Sequence, residues 1–116
     1  MDLQQFIEQL DSNSGFDFED TIDVITANYD YAPVRFSNGE LVNEAGTNEG
    51  SCKIFAFALL HNLSQQQTLN CFGRFYRNDV LEHPQGTDHG NIRNFMRHGW
   101  SGISFENPAL TAKSLT

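Results

Sequence analysis

Residues 48–61 read Asn48-Glu-Gly-Ser-Cys-Lys-Ile-Phe-Ala-Phe-Ala-Leu-Leu-His61, and from Ile54 onward the stretch is apolar on every side of a helix. A surface helix carries one apolar stripe, so one that is apolar all round has to be enclosed by the rest of the chain. The expectation is a central buried helix over about residues 51–61, N-capped by Asn48 or Ser51.

Working outward, His61-Asn62-Leu63 is a short connection. Ser64 with Gln67 then matches a capping box, and Leu69, Phe72, Phe75 and Tyr76 give the next helix an apolar face, antiparallel to the first. One further turn is expected over Asp79 to Glu82, before Pro84 and Gly86 break the chain. Thr87 or Asp88 is placed to cap a last helix to His98, with Ile92, Phe95 and Met96 inward and Gly99 as its left-handed end.

Upstream, Leu3, Phe6, Ile7 and Leu10 share one face of a helix from Asp2 that Ser12 to Gly15 ends. Asp17 caps a second helix with Glu19 and Asp20 in its first turn and Phe18, Ile22, Ile25 and Tyr29 on one side. Val34-Arg-Phe36 and Glu40-Leu-Val42 flank Ser37-Asn38-Gly39, the strongest local hairpin signal in the chain. Ile103-Ser-Phe105 reads as extended. The fold class is therefore mainly α: a compact bundle of five or six helices around the central helix, with one short β-hairpin at about 34–42. Residues 1–107 form a single globular domain, and 108–116 form a frayed C-terminal tail.

At 116 residues the chain can bury roughly two-thirds of its unfolded surface. Ten Phe, three Tyr and one Trp make that core aromatic. A net charge of -8 argues against phosphate backbones and anionic lipid, so neither nucleic acid nor membrane is an expected partner. No apolar run reaches the roughly 20 residues of a spanning helix, and the N-terminus lacks a signal-peptide pattern. Two cysteines outside any C-x-x-C pair point to reduced thiols, and the expectation is a monomer folded in a cytosol.

Three blocks share a further property. Asp30-Tyr-Ala-Pro with Phe36-Ser-Asn-Gly-Glu-Leu41, then Asn48 to Ala58, then Gly86-Thr-Asp-His-Gly-Asn-Ile-Arg-Asn-Phe-Met-Arg-His-Gly-Trp100, resemble the HopJ (HopPmaJ-type) type III effector family, in order and over nearly the whole chain. The resemblance implies an effector role, with passage through a type III secretion system into a host cell. It implies no particular reaction.

Chemistry has to be sought residue by residue. Cys52 stands at a helix start beside Lys53, and both the helix dipole and the cation favour a thiolate, which is how a nucleophile is activated. His89 is its candidate base and His98 the second choice. The four histidines match no zinc spacing, so no metal or other cofactor is expected, although Asp79, His83, Asp88 and His89 form a cluster worth checking. Arg93 and Arg97 stand one helical turn apart, with His89 a turn earlier, opposite Ile92, Phe95 and Met96.

Such a row could grip a carboxylate or phosphate, with Asn91 and Asn94 beside it, or could pair with the chain's own carboxylates such as Glu49 and Asp79. Candidate ligand- or partner-binding residues are thus His89, Arg93, Arg97, His98 and Trp100, joined by Asn48, Glu49 and Lys53 at the central helix. The best-fitting function is an effector-like binding protein that engages a protein or a small anion. A small cysteine-dependent enzyme using Cys52 and a cytosolic housekeeping module binding a small anion are the alternatives.

Overall fold

The computed structural model describes residues 3–11 and 16–113. The start of the first helix at Asp2 and its termination at Ser12 to Gly15 lie outside the described residues. Within them run five α-helices: α1 (Leu3–Gln9), α2 (Phe18–Asn28), α3 (Glu49–Leu60), α4 (Gln65–Asn70) and α5 (Gly90–His98). A π-helical turn (Phe75–Val80) precedes α5 and a 3-10 turn (Gly99–Gly102) follows it.

Strand content overturns the expected helical bundle with one hairpin. Five short strands, β1 (Tyr29–Tyr31), β2 (Phe36–Asn38), β3 (Leu41–Asn43), β4 (Ile103–Phe105) and β5 (Leu110–Ala112), build two antiparallel sheets, one β1-β5 and one β3-β2-β4. The hairpin is only one edge of the second sheet, because Phe36 also pairs with Phe105, their rings stacked at 4.9 Å. A two-stranded ribbon is marginal in water, and the third strand supplies the missing pairing. Residues 110–112, expected to fray, pair with β1 from Tyr29↔Ala112 to Tyr31↔Leu110.

Register inside the hairpin differs from the expectation too. Asn38 pairs with Leu41, so the turn is Gly39-Glu40, with Gly39 at φ 63°, a conformation open to glycine at little cost. Asn38 itself is fully buried.

The core confirms the enclosure of α3 from Cys52 to Ala58, apart from Lys53, and corrects it beyond. Phe55 and Phe57 are fully buried; Phe57 lies edge-on to Phe6 and Tyr29, and Phe55 meets Phe36, Phe72, Phe95 and Trp100. Leu59 and Leu60 are 47% and 54% exposed. They line an apolar groove of about 360 Å³ together with Phe105, Pro108 and Leu110.

Two local devices then set the site. After α4 the chain turns at Gly73 (φ 59°), where a Cβ would run into Asp17, so the expected continuous helix from Ser64 is broken. Asp17 uses the opening: its Oδ1 accepts from the N–H of Phe18 and of Arg74, each at 2.8 Å. The second device is a buried amide network. Asn38 Nδ2 donates to Asn91 O (2.8 Å) and Oδ1 (3.1 Å), Asn43 and Asn91 exchange amide hydrogen bonds at 3.1 and 2.9 Å, and Asn48 Nδ2 donates to Asn43 Oδ1 at 2.7 Å. This network ties the hairpin to the first residues of both α3 and α5, and amides buried at this depth hold position because each lost partner is costly.

Candidate functional site

The expected catalytic cysteine is a core residue. Cys52 is 1% exposed and its thiol faces Val34 O at 3.8 Å. Burial pushes the thiol above its ordinary range and outweighs the lowering by Lys53, whose ammonium lies 4.8 Å over the Tyr31 ring. Solvent exclusion disfavours the charged form more than a helix terminus favours it. His89 makes no hydrogen bond to it. Cys71 is also a free, buried thiol, raised further by the same cause.

The arginine row is likewise dispersed. Arg93 is turned into the 79–88 loop: Nη2 bonds Asp88 Oδ1 at 2.7 Å, Nη1 donates to His83 O at 2.9 Å, Nε to Asp88 O at 2.6 Å, and Nη2 reaches Asp79 O at 3.3 Å. A guanidinium whose fork is spent on one loop is a clasp for that loop. It also holds the Asp88 carboxyl below the usual range. Arg97 is exposed and 4.0 Å from Glu40, which His98 Nε2 approaches at 3.1 Å. Trp100 is half-buried, donating to Leu63 O at 3.1 Å. Asn91 and Asn94 are committed as well, Asn94 to Asn38 O.

What the fold does bring together is the start of α3 and the start of α5. Both N-cap residues sit in the left-handed region, Asn48 at φ 49° and His89 at φ 52°, and neither makes a side-chain cap. The reason is visible in their partners: the Asn48 amide is drawn to Asn43, and the His89 ring to Asp79 at 2.9 Å. At each helix start the first-turn N–H groups are therefore uncovered by the residue that usually covers them, although at α3 the Glu49 carboxylate in the first turn offsets part of the positive end.

Both starts open onto one cavity of about 320 Å³, whose walls include Gly50 and Ser51 from α3 and His89 and Gly90 from α5. Phe18, Phe72 and Phe75 line it as well. Phe18 and Phe75 lie 5.0 Å apart, and Phe75 and His89 5.2 Å apart, so an aromatic surface runs up to the imidazole. At Gly50 a Cβ would meet the Phe18 ring at 2.7 Å, which is why that wall needs glycine. The groove at the other end of α3 is larger but, among the described residues, has no histidine, cysteine or cationic side chain in its walls.

Of the sequence candidates, Asn48 and His89 thus belong to this site, Glu49 is the first residue of α3, and Lys53, Arg93, Arg97, His98 and Trp100 have partners elsewhere. Gly50, Gly90 and the phenylalanine wall were missed. A sequence signal for them existed in the paired pattern Asn48-Glu-Gly-Ser and Asp88-His-Gly-Asn, a polar residue and a glycine at two helix starts.

A family model described as HopJ type III effector protein matches residues 3–110. No curated protein matches the chain at a significant level. Among solved structures, the crystal structure of an unknown-function protein, VPA0580, is 58% identical and superposes with a TM-score of 0.94, covering 97% of this chain and 95% of that one.

Proposed function

We propose, from the premise that this chain belongs to the HopJ type III effector protein family, that it is an effector-like protein that works by binding rather than by turnover. Its ligand is a small anionic group, free or carried by a partner protein, seated in the cavity between the starts of α3 and α5. The observation that carries this reading is the convergence of two helix starts without side-chain caps on one aromatic-walled cavity. Uncovered N–H groups at a helix start are donors for carboxylate or phosphate, and phenylalanine suits a planar or apolar body attached to it. A volume of about 320 Å³ falls at the small end of ligand-sized clefts. The family description supports delivery through a type III system to a place where such a partner is met.

Gly90→Asp tests the site without dismantling it. The nearest atom to a Cβ at Gly90 is Leu41 Cδ2 at 3.6 Å, and an acid in the first turn of a helix stabilises it by about 0.3–1 kcal/mol. Thermal-shift measurements with phenyl phosphate and benzoate should raise the melting temperature of the wild type. Gly90→Asp should melt at the same or a higher temperature without ligand and show no rise with it. A rise of equal size in the variant places the ligand elsewhere.

A further inference from the structure

One group of ligand-bearing side chains stands out among the described residues: Asp79, Asp88 and His89 each offer a donor atom, and these atoms all lie within 4.8 Å of one another. His89 Nε2 is 2.9 Å from Asp79 Oδ2 and 3.9 Å from Asp88 Oδ2. Ligands held about 2.1 Å from one ion stand roughly 3.0–3.4 Å apart in octahedral or tetrahedral geometry, so the His89–Asp79 pair is already at that spacing and the exposed Asp88 side chain has to close on it from 3.9 Å.

We propose that Asp79, Asp88 and His89 bind a divalent first-row transition metal, Zn²⁺ or Mn²⁺, at the rim of the α3/α5 cavity. The donor set decides the class of ion. One imidazole nitrogen with two carboxylates suits these metals, whereas Mg²⁺ prefers oxygen alone and keeps its water.

Positioning comes from outside the trio. The His89 ring is held against Phe75, and Arg93 grips Asp88 through Oδ1, which leaves Oδ2, the oxygen nearer His89, for the ion. A partner that fixes one carboxylate oxygen and frees the other is the usual support of a metal ligand. Binding replaces the Asp79–His89 hydrogen bond: the imidazole presents the Nε2 lone pair to the ion and keeps its proton on Nδ1, and any second ring proton passes to water.

Three protein ligands leave coordination positions for an exogenous group, and His89 also lines the cavity. The ion nevertheless needs no cavity ligand to bind, so this inference stands or falls apart from the anion reading.

The test uses the metal alone. Full-length protein stripped with a chelator is titrated with ZnCl₂, MnCl₂ and MgCl₂ by calorimetry, with wild type, Asp79→Asn and His89→Asn. Asparagine tolerates the left-handed backbone at position 89 better than most residues, so that variant keeps the helix start. Saturable one-to-one binding of Zn²⁺ or Mn²⁺, weak or absent binding of Mg²⁺, and a loss of more than about tenfold in each variant are expected. Unchanged affinity in both variants, or no saturable binding, overturns the site. Should a variant fail to fold, Mn²⁺ broadening of wild-type amide resonances decides: loss confined first to 79 and 88–90 supports it, and loss centred elsewhere overturns it.

Discussion

Two pairs of helix starts in this molecule solve the same problem in opposite ways. At α2 and α4 the chain spends side chains on the exposed N–H groups: Asp17 with Asp20, and Ser64 with Gln67, form complete capping boxes. At α3 and α5 the N-cap residues are left-handed and their side chains are turned away, to Asn43 and to Asp79. The capped pair faces the structural joints, where Asp17 also holds Arg74. The uncapped pair faces a cavity. A helix start left without its cap costs stability of order 1 kcal/mol, and under the proposed function the two uncapped starts trade that stability for an anion-binding surface.

Breaking the network that holds the uncapped pair in place should cost most. Asn91→Ala removes three side-chain hydrogen bonds from the buried network, Asn38 Nδ2 and Asn43 Nδ2 to its Oδ1 and its own Nδ2 to Asn43 Oδ1, and a loss of about 2–4 kcal/mol in urea unfolding is expected. A loss below about 1 kcal/mol would mean that something other than the amide network positions α5.

Next in size is Asp17→Ala, at about 1–2 kcal/mol, because the carboxylate caps α2 and receives Arg74 as well. Its pH dependence has a defined sign. The backbone N–H of Arg74 is the main cause that lowers the Asp17 carboxyl from 3.8 to about 2, with Phe18 N–H and the guanidinium adding to it against a desolvation cost. A folded value below the unfolded one means stability that is complete above the unfolded value and is lost as pH falls toward the folded one. Asp17→Asn should therefore remove part of the wild-type decline in melting temperature between about pH 4 and pH 2. Identical acid profiles for the two proteins would remove Asp17 from the account.

Ser64→Ala is the smallest of the three, about 1 kcal/mol by chemical denaturation, since its box serves one exposed helix start. A cost larger than that of Asp17→Ala would reverse the ranking on which the contrast rests.

The same contrast separates what could be read in the sequence from what could not. Capping boxes are complete within four residues, so Asp17 and Ser64 announced themselves, and the apolar run from Ile54 announced an enclosed helix. The uncapped starts depend on distant partners. Asn38-Gly39 looked like a turn because the dipeptide favours one, yet Asn38 is drawn into the core by Asn91, 53 residues away, and the turn moves one residue on. Ile103-Ser-Phe105 reads as extended and is β4, but β1 and β5 are three residues each, too short for alternation to show, and they meet across most of the chain.

Helical spacing puts Arg93 and Arg97 one turn apart on α5, but His89 precedes the helix as its left-handed N-cap. Spacing could not show that the 79–88 loop folds its carbonyl groups onto Arg93. Similarly, the helix start and Lys53 alone favour a reactive Cys52, and only the fold brings up the Val34 segment that covers its thiol.

Whether the starts of α3 and α5 jointly hold an anion is decided by titrating ¹⁵N-labelled protein with phenyl phosphate. Amide resonances of Gly50, Ser51, Gly90 and Asn91 should move together and saturate at one common affinity. Movement confined to residues around Arg97 and His98, or no saturable movement at α3 and α5, would contradict joint binding.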